Sequence, residues 1–121
     1  MNIEELRDYC IAKPAVEECF PFDESTLVFK VTGKMFLLTD LVDAFALSLK
    51  NTPEKVVEMK EQYPSVLPAF HMNKTHWITV RIDGSITDSQ LRQWIDESYN
   101  LIVSGFSRKE KALYYELAKK S

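Results

Sequence analysis

Two histidines are the side chains of this chain best suited to binding a metal. His71 and His76 flank a polar turn, so a hairpin there would place two imidazole rings side by side. A zinc site needs further ligands, and no Asp, Glu or Cys lies between Gln62 and Ile82. Paired histidines without such ligands are typical of structural or surface positions. We therefore predict no metal site.

Cysteines and paired carboxylates are the other groups that could react. Cys10 falls on the apolar face of a predicted helix, which is typical of an inert buried thiol. Cys19 precedes Phe20-Pro21-Phe22, an aromatic corner that we expect to pack into the core. Adjacent carboxylates such as Glu17-Glu18 point in different directions on a helix and do not share a site. The chain contains no G-x-G-x-x-G, P-loop, H-E-x-x-H or G-x-S-x-G motif, so we predict no catalytic residue and no cofactor.

The distribution of charge is more informative than these groups. The chain has 15 Lys and Arg and 18 Asp and Glu, a net charge of −3 that excludes a generally basic nucleic-acid-binding protein. Two long stretches nevertheless lack any acid, residues 25–39 and residues 62–82. We expect Lys34 and Lys74 to project from turns in these stretches toward phosphates. Neighbouring side chains would add hydrogen bonds or stacking.

The elements that position these residues follow from periodicity and capping. A first helix begins with Asn2 as its cap and ends before Pro14. Residues 27–31 alternate between apolar and polar, and Gly33-Lys34 makes a tight reversal into residues 35–39. A third strand around residues 45–49 completes an antiparallel meander, after a turn at residues 41–43.

A second helix begins at Thr52-Pro53 and stops at Pro64. Residues 65–71 form at best an edge strand, since they contain a proline, whereas residues 77–82 are a better strand. Two helices follow, capped by Thr87 and Ser107. This order predicts an α+β fold in which helices cover mainly one face of an antiparallel sheet, formed by one domain over residues 1–121.

The charge of the first residues and the length of the apolar runs indicate where the protein is located. The first residues are acidic where a secretory signal is basic, and no apolar run approaches the roughly 20 residues of a membrane span. We expect a cytoplasmic protein with both thiols reduced.

Three blocks of sequence resemble the bacterial MmcQ/YjbR family, and the resemblance covers nearly the whole chain. The blocks are Val16-Glu17-Glu18 leading to Phe20-Pro21-Phe22, then Leu27 to Phe36 with the Gly33-Lys34 turn, and Met72-Asn73-Lys74-Thr75-His76-Trp77 ending in Val80. The resemblance implies a CyaY-like, or frataxin-like, α+β domain with a double-wing arrangement that carries a DNA-binding label. By position, the wings are the Gly33-Lys34 hairpin and the turn at residues 73–77. A frataxin-like fold also suggests iron binding, for which Glu4, Glu5 and Asp8 are modest candidates.

Our leading hypothesis is a small non-enzymatic DNA-binding protein that acts as a monomer or weak homodimer. Its expected contact residues are Lys30, Lys34, Asn73, Lys74, Thr75, His76, Trp77 and Arg81. The alternative is a module that binds a protein or a small ligand in an aromatic pocket lined by Tyr63, Phe70, His71 and Trp77. An enzyme is a third hypothesis, for which no acid, base and nucleophile can be named. Trp77 itself is the most ambiguous residue, because a large aromatic side chain at the start of a strand usually packs.

Overall fold

The computed structural model of the chain describes residues 1–42, 45–69 and 72–120. Their elements, in order, are α1 (Ile3–Ile11), β1 (Val16–Cys19), β2 (Thr26–Val31), β3 (Lys34–Asp40), β4 (Ala46–Lys50), α2 (Pro53–Gln62), β5 (Val66–Pro68), β6 (Trp77–Arg81), α3 (Asp88–Ser104) and α4 (Arg108–Ala118). The predicted α+β class is confirmed.

The strands form a six-stranded sheet in the order β1-β2-β3-β4-β6-β5, with antiparallel pairing between all neighbours. The predicted meander corresponds to β2, β3 and β4. The edge strand β1 was not predicted, because its four residues include two exposed glutamates and show no apolar alternation. It pairs with β2 from Val16, opposite Val31, to Cys19, opposite Val28.

The turn between β2 and β3 differs by one residue from the prediction. Val31 pairs with Lys34, so the two turn residues are Thr32 and Gly33 rather than Gly33 and Lys34. Both adopt left-handed backbone conformations, with φ of 50° at Thr32 and 81° at Gly33. Two-residue hairpin turns in which both residues have positive φ match the twist of the flanking strands. The Thr32-Gly33 turn is of this kind.

Helix starts are fixed locally, as the sequence indicates. Asn2 and Glu5 form a capping box at α1, and Ser107 and Glu110 form another at α4. The Thr52 hydroxyl accepts a hydrogen bond from the Lys55 N–H at the start of α2. Each cap satisfies backbone N–H groups that the first helical turn leaves without partners.

One face of the sheet packs against the helices and holds the core, as predicted. Helix α3 lies across the central strands, where Leu91, Trp94 and Ile95 are buried. The core residues contributed by alternate positions of the central strands are Leu27, Phe29, Leu37, Leu47, Leu49, Ile78 and Val80. Alternation places the intervening side chains on the second face of the sheet. The second face carries Lys30, Ser48, Lys50, Trp77, Thr79 and Arg81.

The Phe20-Pro21-Phe22 corner does not pack into the core, so that prediction was wrong. Phe20 is 49% exposed and Phe22 is 66% exposed. The chain leaves the sheet at Cys19, where the edge strand β1 ends, and this position puts the corner on the surface. The predicted turn at residues 41–43 and the predicted edge segment at residues 65–71 extend into residues outside the described ones. Pro68 closes β5, which forms the second edge of the sheet.

Candidate nucleic-acid interface

Both turns singled out by the sequence lie at the same end of the sheet. Leu37 pairs with Leu49, and Leu49 pairs with Ile78, so β3 begins where β4 ends and β6 begins. Only β4 separates the Thr32-Gly33 turn from the turn at residues 73–76, a distance of two strand spacings or about 10 Å. We call this region the hairpin end.

Lys34 is held against the last helix of the chain. Its Nζ lies 3.0 Å from Glu110 Oε2 and 5.8 Å from the centroid of the Phe106 ring. The same carboxylate accepts a hydrogen bond from the Ser107 N–H at 2.9 Å. The pKa of Glu110 is lowered, first by the Ser107 N–H and then by Lys34. Lys34 therefore projects from the hairpin but already has an anionic partner.

The turn before β6 is built around Asn73. Its carbonyl oxygen accepts hydrogen bonds from the His76 N–H at 3.2 Å and the Trp77 N–H at 2.9 Å. Its side-chain Oδ1 accepts from the Thr75 N–H at 2.8 Å. Asn73 thus shapes the turn, and Lys74 and Thr75 are exposed at its tip. Among the residues that the structure describes, none forms an ion pair with Lys74.

His76 connects this turn to the end of β4. Its carbonyl oxygen accepts a hydrogen bond from the Asn51 N–H at 2.9 Å, and its side chain is half-buried. The buried Asn51 side chain donates in turn to Glu97 Oε1 at 3.0 Å. Glu97 is therefore an acidic neighbour of the hairpin end, on the helix side of the sheet.

Lys30 and Lys50 bring further positive charge to the second face near the hairpin end. Lys50 lies directly across from Trp77 in the β4–β6 register, and Lys30 lies between Glu17 on β1 and Met35 on β3. Lys50 was missed by the sequence prediction. The signal was available, because the alternation that buries Leu47 and Leu49 assigns Lys50 to the other face.

Trp77 is buried, with 7% of its surface exposed, so it packs on the second face and does not offer its ring for stacking. Arg81 shares that face but lies four residues further along β6, at the opposite end of the sheet. The structure therefore places Lys30, Lys34, Lys74, Thr75 and His76 at or near the hairpin end, with Lys34 on the helix side of the sheet and Lys30 on the second face. Arg81 lies about 13 Å away along the strand.

The aromatic pocket of the alternative hypothesis is not assembled around Trp77 and Tyr63. The Tyr63 ring lies 5.0 Å from that of Trp94, on the helix side, whereas Trp77 lies on the second face. Phe70 and His71 fall outside the described residues. A groove of about 320 Å³ does exist at the opposite end of the sheet. Its lining residues are Met1, Asn2, Ile3, Asp40, Leu41, Phe45 and Ile82.

Metal binding and membrane insertion have specific structural requirements. Within residues 1–42, 45–69 and 72–120, no three His, Cys, Asp or Glu side chains are grouped as a metal site requires. None of the described helices combines the length and apolarity needed to cross a bilayer.

The fold and the site define a small α+β protein with a six-stranded antiparallel sheet that has basic turns at one end. The chain belongs to the YjbR family, whose model matches residues 11–101. It is 36% identical over 118 residues to the Escherichia coli K12 protein YjbR, covering 97% of this chain and 100% of the relative. It is 37% identical over 109 residues to YbdF of Escherichia coli O157:H7, covering 89% of each.

Solved structures have the same fold. A crystal structure of a Deinococcus radiodurans protein with a DUF419 domain superimposes with a TM-score of 0.87 at 38% identity, covering 93% of this chain and 87% of that chain. A crystal structure of a protein from Pseudomonas syringae gives a TM-score of 0.73 at 27% identity, covering 84% of this chain and 98% of that chain. None of these names states an activity.

Proposed function

We propose that this chain binds the phosphate backbone of duplex DNA through the hairpin end and catalyses no reaction. The observation that carries the proposal is the position of two basic turns. The Thr32-Gly33 turn, which leads into Lys34, and the turn that carries Lys74 are far apart in sequence but lie at one end of the sheet. Cations projected from turns suit phosphate contacts, which position a protein on a duplex.

The spacing of the two turns fits a duplex. They are about 10 Å apart, with β4 between them. Lysine side chains are long and flexible. Two ammonium groups carried by turns at this separation therefore reach phosphates that face each other across a minor groove about 6 Å wide. Lys30 and Lys50 add positive charge near the same end, on the second face of the sheet, whereas Lys34 lies on the helix side.

A duplex is favoured over a single strand because of Trp77. Proteins that bind single strands stack bases on exposed aromatic rings. Trp77 is buried at the hairpin end, and the exposed rings of Phe20 and Phe22 follow β1 at the opposite end. The exposed ring of Tyr115 lies on α4, about two helical turns from its start. Contacts made by lysines to phosphates carry no sequence information, so binding is expected to be independent of sequence.

The net charge of −3 sets the expected strength of binding. The proposed contacts lie at the hairpin end, and the chain as a whole is acidic. Affinity is therefore modest and falls steeply as salt rises, since each neutralised phosphate releases condensed counterions.

The test is a fluorescence anisotropy titration of a labelled mixed-sequence duplex at about 50 and 200 mM salt. The double variant Lys34→Gln with Lys74→Gln is compared with Lys60→Gln with Lys119→Gln, which removes the same charge far from the hairpin end. The first variant is expected to lower affinity roughly tenfold and to reduce the slope of log K against log salt by about 2. The second is expected to change affinity by less than twofold.

Two results would overturn the proposal. One is no binding of the duplex by the unmodified protein at about 50 mM salt. The other is an equal loss of affinity in both double variants, which would mean that binding follows net charge rather than the hairpin end. Amide chemical shifts give an independent map, and the proposal requires salt-sensitive shifts at Gly33, Lys34 and Lys74.

A further inference from the structure

Three cations in the first turn of α4 have no evident structural role. Arg108, Lys109 and Lys111 are exposed. Positive charge at the N-terminus of a helix opposes the helix dipole, so these residues do not stabilise α4. In the part of the chain that the structure describes, none of the three forms an ion pair.

This turn lies beside the hairpin end. Helix α3 ends at Ser104, and Phe106, which follows it, packs under Lys34. Glu110 then pairs with Lys34 at 3.0 Å. Arg108, Lys109 and Lys111 are within two residues of Glu110, and one helical turn rises only about 5.4 Å. The backbone of the first turn of α4 therefore lies next to Lys34, and Arg108 and Lys111, three positions apart, share one side of the helix.

The charge of this region is opposite to that of the rest of the chain. Residues 108–111 contain three basic residues and one acidic residue, although the chain as a whole is acidic. A polyanion is the partner that this local excess attracts. The exposed apolar residues of α4, Leu113 and Tyr115, are two positions apart and so project in different directions. They do not form one apolar face beside the cations, as a membrane-binding helix requires.

We propose that Arg108, Lys109 and Lys111 are a third part of the DNA-binding surface, so that a bound duplex spans from the two turns to the start of α4. This inference rests on the function proposed above. It adds a helix, α4, to the two turns that the proposed function uses.

The experiment compares two double variants on the same helix. Arg108→Gln with Lys109→Gln removes two charges at the start of α4, and Lys119→Gln with Lys120→Gln removes two charges just beyond its end. The two sites are separated by about 16 Å of helix, which exceeds the Debye length of about 10 Å at 0.1 M salt. Both proteins are titrated with the same duplex at about 50 and 200 mM salt.

The first variant is expected to bind roughly fivefold to tenfold more weakly at about 50 mM salt and to reduce the salt slope by about 2. The second is expected to change affinity by less than twofold. Removing cations from the first turn favours the helix, so α4 remains folded. Circular dichroism and a melting curve verify this for each variant.

The outcomes separate this inference from the proposed function. Equal losses in the two variants would overturn the inference, because they would reflect net charge alone. No loss in either variant, with a clear loss in Lys34→Gln with Lys74→Gln, would also overturn it and leave the proposed function standing. If the unmodified protein does not bind the duplex, both fail together.

Discussion

Lys34 Nζ and Glu110 Oε2 lie 3.0 Å apart and join the β2–β3 hairpin to α4. The carboxylate of Glu110 also accepts a hydrogen bond from the Ser107 N–H at 2.9 Å. A lysine ammonium and a backbone N–H at a helix start are the same groups that bind phosphate oxygens. Glu110 thus occupies the anion position at Lys34, which the proposed function assigns to a phosphate.

Replacing Glu110 by Gln is expected to strengthen binding to a duplex. Gln keeps the capping box with Ser107, so α4 still begins at the same residue. Lys34 is then available to a phosphate without first losing an anionic partner. Affinity should rise roughly threefold, since surface ion pairs are weak. The measurement is the same anisotropy titration.

The control is Glu116→Gln, which removes an exposed carboxylate from the same helix. It changes the net charge equally without a described contact to Lys34. Equal gains in the two variants would show that Glu110 acts only through net charge.

Replacing Thr32 by Asn is expected to stabilise the fold. Thr32 has a φ of 50°, a conformation that is unfavourable for a β-branched residue and well tolerated by Asn. Its buried Oγ1 has no hydrogen-bond partner among the described atoms. The free energy of unfolding should rise by about 1 kcal/mol, as measured by urea denaturation. Thr26→Asn in β2 is the control and should lower it, because Asn is unfavourable in a strand. A lower stability of Thr32→Asn would contradict this account of the turn.

The two thiols are expected to differ in reactivity. Cys10 is fully buried, and burial raises its pKa to about 12, so hardly any thiolate forms at pH 8. Cys19 is only half-buried. A colorimetric thiol reagent should modify about one thiol in the native protein and both after denaturation. In Cys19→Ser, native protein should show almost no reaction, and rapid modification of that variant would contradict the burial of Cys10.

Asp83 is expected to make stability depend on acid pH. Hydrogen bonds from the Ser85 and Ser65 hydroxyls, together with the Ser85 N–H, lower its pKa to about 2. The unfolded value is about 3.9. The carboxylate therefore contributes stability that is fully present above about pH 4 and is lost as the pH falls toward 2.

Melting curves of Asp83→Asn test this dependence. The variant should melt at a lower temperature than the unmodified protein at pH 7, and the difference should shrink between about pH 4 and pH 2. Glu61→Gln, which changes an exposed carboxylate of α2, is the control. A difference that stays constant with pH would contradict the role of the Asp83 carboxylate.

Much of the fold is set by local signals that the sequence displays. Asn2 with Glu5 and Ser107 with Glu110 mark helix starts, because a cap depends on residues only three positions apart. Alternation along β6 predicts which side chains share a face, and it places Ile78 and Trp77 on opposite faces of the sheet. These features need no knowledge of the rest of the chain.

What the sequence did not predict depends on distant partners. The strand β1 has weak local character and forms because Val31 and neighbouring residues of β2 are available for pairing. The ion pair of Lys34 with Glu110 requires α3 to end beside the hairpin, which no local pattern indicates. Exposure of Phe20 and Phe22 likewise follows from the position of β1 at the edge of the sheet.

The two edges of the sheet also affect how this protein behaves when crowded. Open strand edges are templates for pairing with other chains and for cross-β growth. The edge strand β1 has four residues and exposes Glu17 and Glu18, and β5 has three residues and includes Pro68, which cannot donate a hydrogen bond. The β1 strand of a second copy therefore meets the like charge of Glu17 at one edge, where Glu18 is paired with Arg7. A strand at the other edge meets a missing donor, so the folded protein resists fibril formation at high concentration.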